Sequence, residues 1–397
     1  MGTVIRPVSV AERRARLAAR HHLAASSGGA ASPAGVAGAV ADIIALHGTD
    51  PASVYLAAWA RTGASRADIE HALYAEGALV RMLGMRRTMF VVPAGLMPVI
   101  QAACTDQIAA RLRRDLARRV QASGIAPDGA AWLQEVGEAT VRALSARGSA
   151  TGAELAGDEP RLRAQLAYPA AEGKSYGGPV NVTSQLLMLL SAEGLIVRGR
   201  PRGGWTSSQF TWSAARGQAC PDAAAARAEL ARRWLLAFGP ASPADLQWWA
   251  GWTATQVRQA LSQLEVTAVD LDGTAGVMLA ADEDGPPAVA PWPALLPALD
   301  PAAMGWRERG WYVGGHAAAL FDRSGNIGPT AWWDGRIVGG WAQRKDGEIT
   351  VRLLEDAGAE AAAALAAEAR RLSEWIGDPK VRITPRFRTP LERELSG

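Results

Sequence analysis

The sequence predicts an α+β fold: tandem winged-helix (helix-turn-helix) units followed by a C-terminal β-barrel-like domain. Three observations predict it. Runs with apolar residues at helical spacing come in groups, and each group ends in alternating residues broken by a turn signal. At 397 residues the chain is too long for one ordinary core. After residue 285 the helical spacing gives way to short alternating runs separated by Gly-containing turns.

The first unit, 1–129, carries helices near 10–23, 33–47 and 66–77, then LVRMLGMRRTMFVVP as strand material. The second, 130–221, is the clearest. GAAWLQEVGEATVRALSARG is amphipathic and stops at Arg-Gly, and Ser149 or Thr151 caps a short second helix. The loop YPAAEGKSYGGP leads to a third helix capped by Asn181 or Thr183 and closed by Gly194. LIVRGR, the turn PRGG and WTSSQFTW then alternate like a hairpin. The third unit, 222–285, repeats that order. AAAARAELARRWLLAFG stops at Gly239-Pro240, Ser242 caps PADLQWWAGW with Pro243 at N1, Thr253 caps ATQVRQALSQL, and VTAVDLDGTAGVMLA forms a hairpin. In 286–397 a Pro-rich connector (GPPAVAPWPALLPALDP) precedes three or four strands. Their turns fall at Ser324-Gly325-Asn326, Asp334-Gly335 and Asp346-Gly347. EAAAALAAEARRLSEWIG is a last helix and VRITPRF a last strand.

With 49% hydrophobic and 20% charged residues the chain reads as globular. No run approaches the roughly 18 apolar residues of a membrane span, and the N-terminus lacks a secretory pattern. The expectation is a soluble, cytoplasmic, nucleoid-associated monomer. Cys104 and Cys220 have no CxxC partner, which points to free thiols. The net charge is only +3, and the scarcity of lysine beside arginine reads as coding bias. The distribution says more. Arg81, Arg86 and Arg87 lie in 79–93 without an acid, and Arg198, Arg200, Arg202 and Arg216 in 196–216 likewise. Residues 111–119 hold five arginines against Asp115, whereas 266–285 is purely acidic. An anionic polymer along one side of the molecule explains such a separation. The acidic third hairpin is a poor grip for phosphate and reads as structural.

No GxGxxG after a strand, GxxxxGKS/T, HExxH or GxSxG is present, and the histidines have no metal spacing. Nothing in the sequence calls for a metal or nucleotide cofactor. His47, in ALHGTDP, closes an apolar helical run. A helix C-terminus there can aim the His47 imidazole, the Thr49 hydroxyl and the Asp50 carboxylate into one cleft. The plainer reading is that His47 caps terminal carbonyls while Thr49 or Asp50 starts the next helix with Pro51 at N1. Arg86, Arg87 and Thr88 suit a phosphate, or are simply an exposed strand end. Arg198, Arg200 and Arg202, two apart on a strand, share one face and suit phosphate tracking. The turn from Arg323 to Asn326 is a candidate for minor-groove insertion or a plain surface turn. Trp248, Trp249, Trp252, Trp332 and Trp333 read as core and sheet residues rather than base-stacking platforms.

In ALHGTDPASVYLAAWAR and LVRMLGMRRTMFVVP the chain resembles the AlkZ/YcaQ-type family of bacterial winged-helix proteins, which includes DNA glycosylases for alkylated purines and interstrand crosslinks. RRWLLAFGPASPADLQWWAG and ALFDRSGNIGPTAWWDGRIVGGW extend the resemblance over roughly 10–395. It implies three winged-helix units curved around a duplex, with a C-terminal β-barrel. The glycosylase members carry a catalytic Gln-x-Gln or Gln-x-Asp motif before the Asp-Pro step. This chain departs from it, with His47 and Thr49 at those positions. The family's Arg-Gly-Thr-Leu-His-like segment here reads Arg86-Arg87-Thr88-Met89-Phe90.

What the resemblance implies is a monofunctional DNA glycosylase. Its substrate is an alkylated purine or bulky guanine adduct in double-stranded DNA, and its setting DNA repair or self-resistance to a genotoxin. An N-alkylated purine is cationic and its glycosidic bond already weakened. The chemistry then asks for a positioned water and a stabilised oxocarbenium-like sugar. On this reading neutral His47, whose unperturbed pKa is near 6.5, takes the water's proton, Thr49 orients the water, and Asp50 steadies the imidazole or the developing positive charge. Two alternatives stay open: a non-catalytic winged-helix DNA-binding or regulatory protein, and a small-molecule sequestering protein using the Trp-rich half.

Overall fold

The computed structural model describes residues 5–26, 35–167, 180–215, 217, 219–286 and 288–397. The expected loop YPAAEGKSYGGP and Arg216 lie outside them. The described chain is a mixed α+β structure.

Strand β1 (Arg6–Pro7) leads into helix α1 (Val10–Arg20), whose first turn is capped by the Ser9 hydroxyl. Helix α2 (Gly35–Asp42) is shorter than the expected 33–47. Ile44 takes a positive φ and Leu46–His47 become strand β2. Helical periodicity misleads here because the backbone of Leu46 and His47 finds partners in Val91 and Phe90, a long-range pairing that local spacing does not encode. Asp50 caps helix α3 (Pro51–Thr62), which ends at Gly63 in the left-handed conformation. Every residue of α3 is buried, so it runs through the core rather than along the surface. Helix α4 (Arg66–Glu70), with a Ser65/Asp68 capping box, winds on through Ala75.

Strands β3 (Leu79–Gly84) and β4 (Thr88–Pro93) form the expected hairpin, and helix α5 (Asp106–Ala122) follows. Helix α6 (Gly129–Arg147), strand β5 (Ala150–Thr151), helix α7 (Gly152–Asp158) capped by Thr151, and helix α8 (Val182–Ala192) lead to strands β6 (Ile196–Arg202) and β7 (Gln209–Ala214). The two hairpins join in one six-stranded sheet, order β2-β4-β3-β6-β7-β5, through a single antiparallel pair, Arg81 with Arg198. Helices α9 (Ala223–Phe238), α10 (Pro243–Ala250) and α11 (Ala254–Leu261) precede strands β8 (Val266–Leu271) and β9 (Thr274–Leu279). Capping boxes at Ser242 and Thr253 start α10 and α11 as the sequence predicts. Strand β1 joins this last hairpin in parallel with β8. Arg16 and Arg20 of α1 reach Asp282, so part of the acidic stretch is neutralised from within.

The C-terminal part corrects three expectations. The Pro-rich connector supplies strand β10 (Pro293–Leu296), which heads an antiparallel sheet with β11 (Thr330–Trp333), β12 (Arg336–Gln343) and β13 (Ile349–Leu353). Pro293 opens that strand, which lies at the sheet edge, where a proline is tolerated. That sheet has four strands in open order, and no closed barrel is found among the described residues. VRITPRF forms no strand: after helix α12 (Gly358–Ile376) it runs as irregular chain to helix α13 (Pro390–Ser396). Its Ile383 amide bonds the Gln343 side chain instead of a ladder partner.

Two large cores hold the molecule. One packs Leu116 and Val120 of α5 together with residues of α6, α7, α8, β6 and β7, up to Trp212. The other runs without a break from the N-terminal helices through α9–α11 into the C-terminal sheet, with Trp234, Trp292, Trp332 and Trp341 fully buried. Among the described residues no helix is long and apolar enough to cross a membrane.

Candidate active site and nucleic-acid interface

His47 lies on β2, not at a helix end, because β4 captures that segment. Its pairing with Phe90 sets both side chains on one sheet face, their rings edge to face at 5.6 Å. The imidazole borders a cavity of about 20 Å³ lined also by Arg86, Phe90, Trp249, Leu299 and Met304. The Thr49 amide makes a long contact, 3.5 Å, to Nδ1. Nδ1 is therefore the acceptor, and the neutral ring carries its hydrogen on Nε2. Burial first, and then the Arg86 guanidinium, push the His47 pKa down to about 3. The ring is thus held well below its unperturbed value near 6.5: it is neutral at physiological pH, and a weak proton acceptor.

Asp50 is the N-cap of α3. Its Oδ2 accepts from the Ser53 amide at 3.3 Å and the Ser53 hydroxyl at 2.6 Å. Burial raises its pKa, while those bonds and then the nearby Arg386 and Arg81 oppose the rise. No hydrogen bond joins Asp50 to His47 among the described residues, so the carboxylate is turned to the helix rather than to the imidazole. Thr49, between them, is partly exposed.

Arg86 and Arg87 form the β3–β4 turn with φ of 53° and 58°. Left-handed backbone is uncommon for side chains this large and marks a strained turn. Two features hold it. The Arg86 guanidinium lies 3.9 Å over the Trp248 ring, which Arg309 also approaches at 4.6 Å. Gly251, in the left-handed conformation after α10, lets the turn come close: a Cβ there would sit 3.3 Å from the Arg86 amide nitrogen. Burial, and then Arg309, lower the Arg86 pKa to about 10, and its Nε has no hydrogen-bond partner.

Arg86 faces two ways. Besides the His47 cavity it lines a hollow of about 410 Å³ with Arg87, Arg111, Gly251, Trp252 and Thr253. A second hollow of about 630 Å³ adjoins it, sharing Arg87, Arg111, Leu112 and Asp115 and adding Arg118, Arg119 and Gln185. The two make one arginine-rich groove between α5, the N-terminus of α11 and α8. Two sequence clusters, 79–93 and 111–119, therefore converge.

The third cluster stays outside that groove, although its Arg198 pairs across the sheet with Arg81 of the first. A bulge between Arg198 and Pro201 breaks the alternation in β6. Arg198 pairs with Trp212 and Arg202 with Gln209, so their side chains lie on opposite faces, not on one. Arg198 stacks on Phe210 and Trp212, Arg200 pairs with Glu70 at 2.8 Å, and Arg202 pairs with Glu154 at 2.8 Å. In the Arg323–Asn326 turn, Asp322 accepts from the Ser324 and Asn326 amides and the Asn326 side chain, leaving Arg323 exposed. Trp249, Trp252 and Trp332 are core residues and Trp333 a half-buried sheet residue, as expected, whereas Trp248 is half-buried beneath Arg86 and Arg309. Sequence reasoning missed Arg309, which sits beside Glu308, and Arg386, although it lies in the acid-free stretch 379–391 with Lys380, Arg382 and Arg388.

A family model described as AlkZ-like, DNA glycosylase AlkZ-like, matches residues 40–375. Among solved structures, the Streptomyces sahachiroi DNA glycosylase AlkZ is similar to this chain, with a TM-score of 0.70 and 20% sequence identity. The match covers 93% of this chain and 97% of that one. At that identity the likeness concerns the fold. A search of curated proteins returns no match.

Proposed function

The chain belongs to the AlkZ-like DNA glycosylase family, and from that premise we propose that it hydrolyses the N-glycosidic bond of alkylated purines or bulky guanine adducts in duplex DNA. It acts as a monofunctional enzyme and as a monomer. The observation that carries this reading is the position of Arg86, which lines both the arginine-rich groove and the His47 cavity. In this reading the groove takes the phosphates of one strand, and the lesion lies beside β2.

We read the three helix-then-hairpin stretches as winged-helix units over 1–129, 130–221 and 222–285, and 286–397 as the β-rich unit that backs them. Their boundaries mark architecture rather than separate cores. α8 and α11, the third helices of the second and third units, both border the groove. Setting such a helix against DNA is the usual docking geometry of the motif.

His47, Thr49 and Asp50 are the proposed catalytic segment. A cationic alkylpurine is a good leaving group, so the attacking water needs orientation more than a strong base. The 20 Å³ cavity beside His47 has room for one water molecule. Neutral His47 holds that water by hydrogen bonding, Thr49 fixes its direction, and the Asp50 carboxylate opposes the positive charge that develops on the sugar. Arg86, Arg87 and Thr88 contact the backbone, with Arg198, Arg200, Arg202, Arg323 and Asn326 as further proposed contacts.

The test is excision from defined duplexes carrying N7-methylguanine or a bulky N7-guanine adduct, scored as strand breaks after alkali treatment. Breaks that require both the lesion and the protein are expected. Tight binding without breaks on either duplex contradicts the reading and favours a non-catalytic damage-binding protein.

A further inference from the structure

Arg81 stands directly opposite Arg198 across β3 and β6. Like charges facing each other on neighbouring strands destabilise a sheet unless something compensates them. Arg81 is 3% exposed, and its Nε and Nη2 have no hydrogen-bond partner. Its Nη1 makes only a long contact, 3.5 Å, to the Gly48 carbonyl. The Nε of Arg198 is buried and also unpartnered. Both guanidiniums lean on Phe210, at 4.9 Å and 5.3 Å. A third, Arg386, lies near enough that it and Arg81, after burial itself, hold the Arg198 pKa down at about 10. Arg386 is exposed, whereas the unpartnered nitrogens of Arg81 and Arg198 are buried. Among the described residues no ion pair involves any of the three, although Arg200, Arg202 and Arg388, close to them in sequence, are paired. The nearby acid is Asp50, whose carboxylate is already bonded by Ser53. Three permanent cations facing one carboxylate leave a net positive, donor-rich spot.

We propose that Arg81, Arg198 and Arg386 form an anion site that receives one phosphodiester group of the bound DNA strand beside Gly48–Asp50. The planar guanidinium forks match phosphate oxygens, and the unpartnered Nε and Nη groups are the donors such an oxygen satisfies. Phosphate contacts fix register rather than read sequence. Held here, the strand is pinned next to the segment that carries His47. The proposal rests on the glycosylase reading for its ligand, since a free phosphate offers the same oxygens.

The test uses the full-length protein, a short fluorescein-labelled duplex with a central tetrahydrofuran abasic site, and the same duplex with one phosphate at a time replaced by a neutral methylphosphonate. R386Q alters an exposed side chain, and its fold is checked by circular dichroism; R81M is the second variant. Neutralising one phosphate next to the lesion is expected to weaken wild-type binding about tenfold. R386Q is expected to lose about as much on the unmodified duplex and nothing further on that one methylphosphonate duplex. Losses that multiply independently at every position, or R386Q binding like wild type, overturn the site. Thermal stabilisation of wild type but not R386Q by inorganic phosphate, without the coupling on DNA, overturns the DNA assignment. Base release from an N7-methylguanine duplex is scored in parallel. Coupling without release sinks the glycosylase reading and leaves the site; release without coupling does the reverse.

Discussion

At the scale of single residues the account turns on charge held in unusual places. His47 is neutral wherever the protein is folded above about pH 3. Excision is therefore expected to show a flat rate between about pH 5 and pH 9, whereas a histidine of ordinary pKa used as a base gives a rate that falls below about 6.5. The same shift has a cost. The folded-state pKa of His47 is depressed, and that of fully buried His21 is too, first by burial and then by Arg61. At His47 the unfolded chain thus binds more protons as pH falls from about 6.5 towards 3, and stability drops across that window by about 1.4 kcal/mol per pH unit, with His21 adding to the loss in the same direction. Thermal melts at stepped pH check this; a melting temperature unchanged from pH 7 to pH 4 contradicts it. Arg87 offers a second handle. Its left-handed φ is strained, so Arg87→Gly is expected to stabilise the fold by up to about 1 kcal/mol while weakening DNA binding. Denaturant titration and anisotropy on one preparation measure both. His47, Arg86 and Arg87 were legible in the sequence, from a departure in a motif and from a charge run. The depressed pKa was not, because it comes first from burial by parts of the chain far from His47 in sequence and then from Arg86, folded against Trp248.

Among elements, local signals and long-range pairing fared differently. The caps at Asp50, Ser65, Thr151, Ser242 and Thr253 are local chemistry, and each helix starts where its cap sits. β2 was read as helix and β10 as connector because their identity as strands depends on partners far along the chain, Val91 for one and Trp333 for the other. The β6 bulge escaped notice for a similar reason: nothing in RGRPR fixes how it meets FTW across the hairpin. Pairing of elements also sets rigidity. Arg61 of α3 and Asp300, both fully buried, are joined by two hydrogen bonds of 2.9 Å and 2.7 Å, tying the helix behind His47 to the start of the C-terminal unit. Removing one partner strands a buried charge, so Asp300→Ala is expected to cost about 3–5 kcal/mol. A loss under about 1 kcal/mol by chemical denaturation contradicts that role.

For the whole molecule, two of the three basic clusters seen in the sequence converge on one groove and the third stays outside it, although its Arg198 meets Arg81 across β3 and β6. Clustering along a chain does not say which acids come near it: Glu70 and Glu154 arrive from other elements to pair Arg200 and Arg202. The groove between α5, α8 and α11 makes the quantitative prediction. If Arg87, Arg111, Arg118 and Arg119 each neutralise a phosphate, affinity falls with salt with a log–log slope of about −3.6, and R111Q/R118Q reduces that slope by about 1.8. A double variant with the wild-type slope places the DNA elsewhere.

The most direct measurement is the single-turnover release of free N7-methylguanine from duplex DNA, quantified by mass spectrometry for wild type, His47→Ala and Arg86→Ala at saturating protein. The expected result is complete release by wild type, a rate lower by on the order of 10²-fold for His47→Ala, and a marked loss for Arg86→Ala, with duplex still bound by all three. Folded, DNA-bound His47→Ala that releases the base as fast as wild type would show that the bond is broken somewhere other than beside β2.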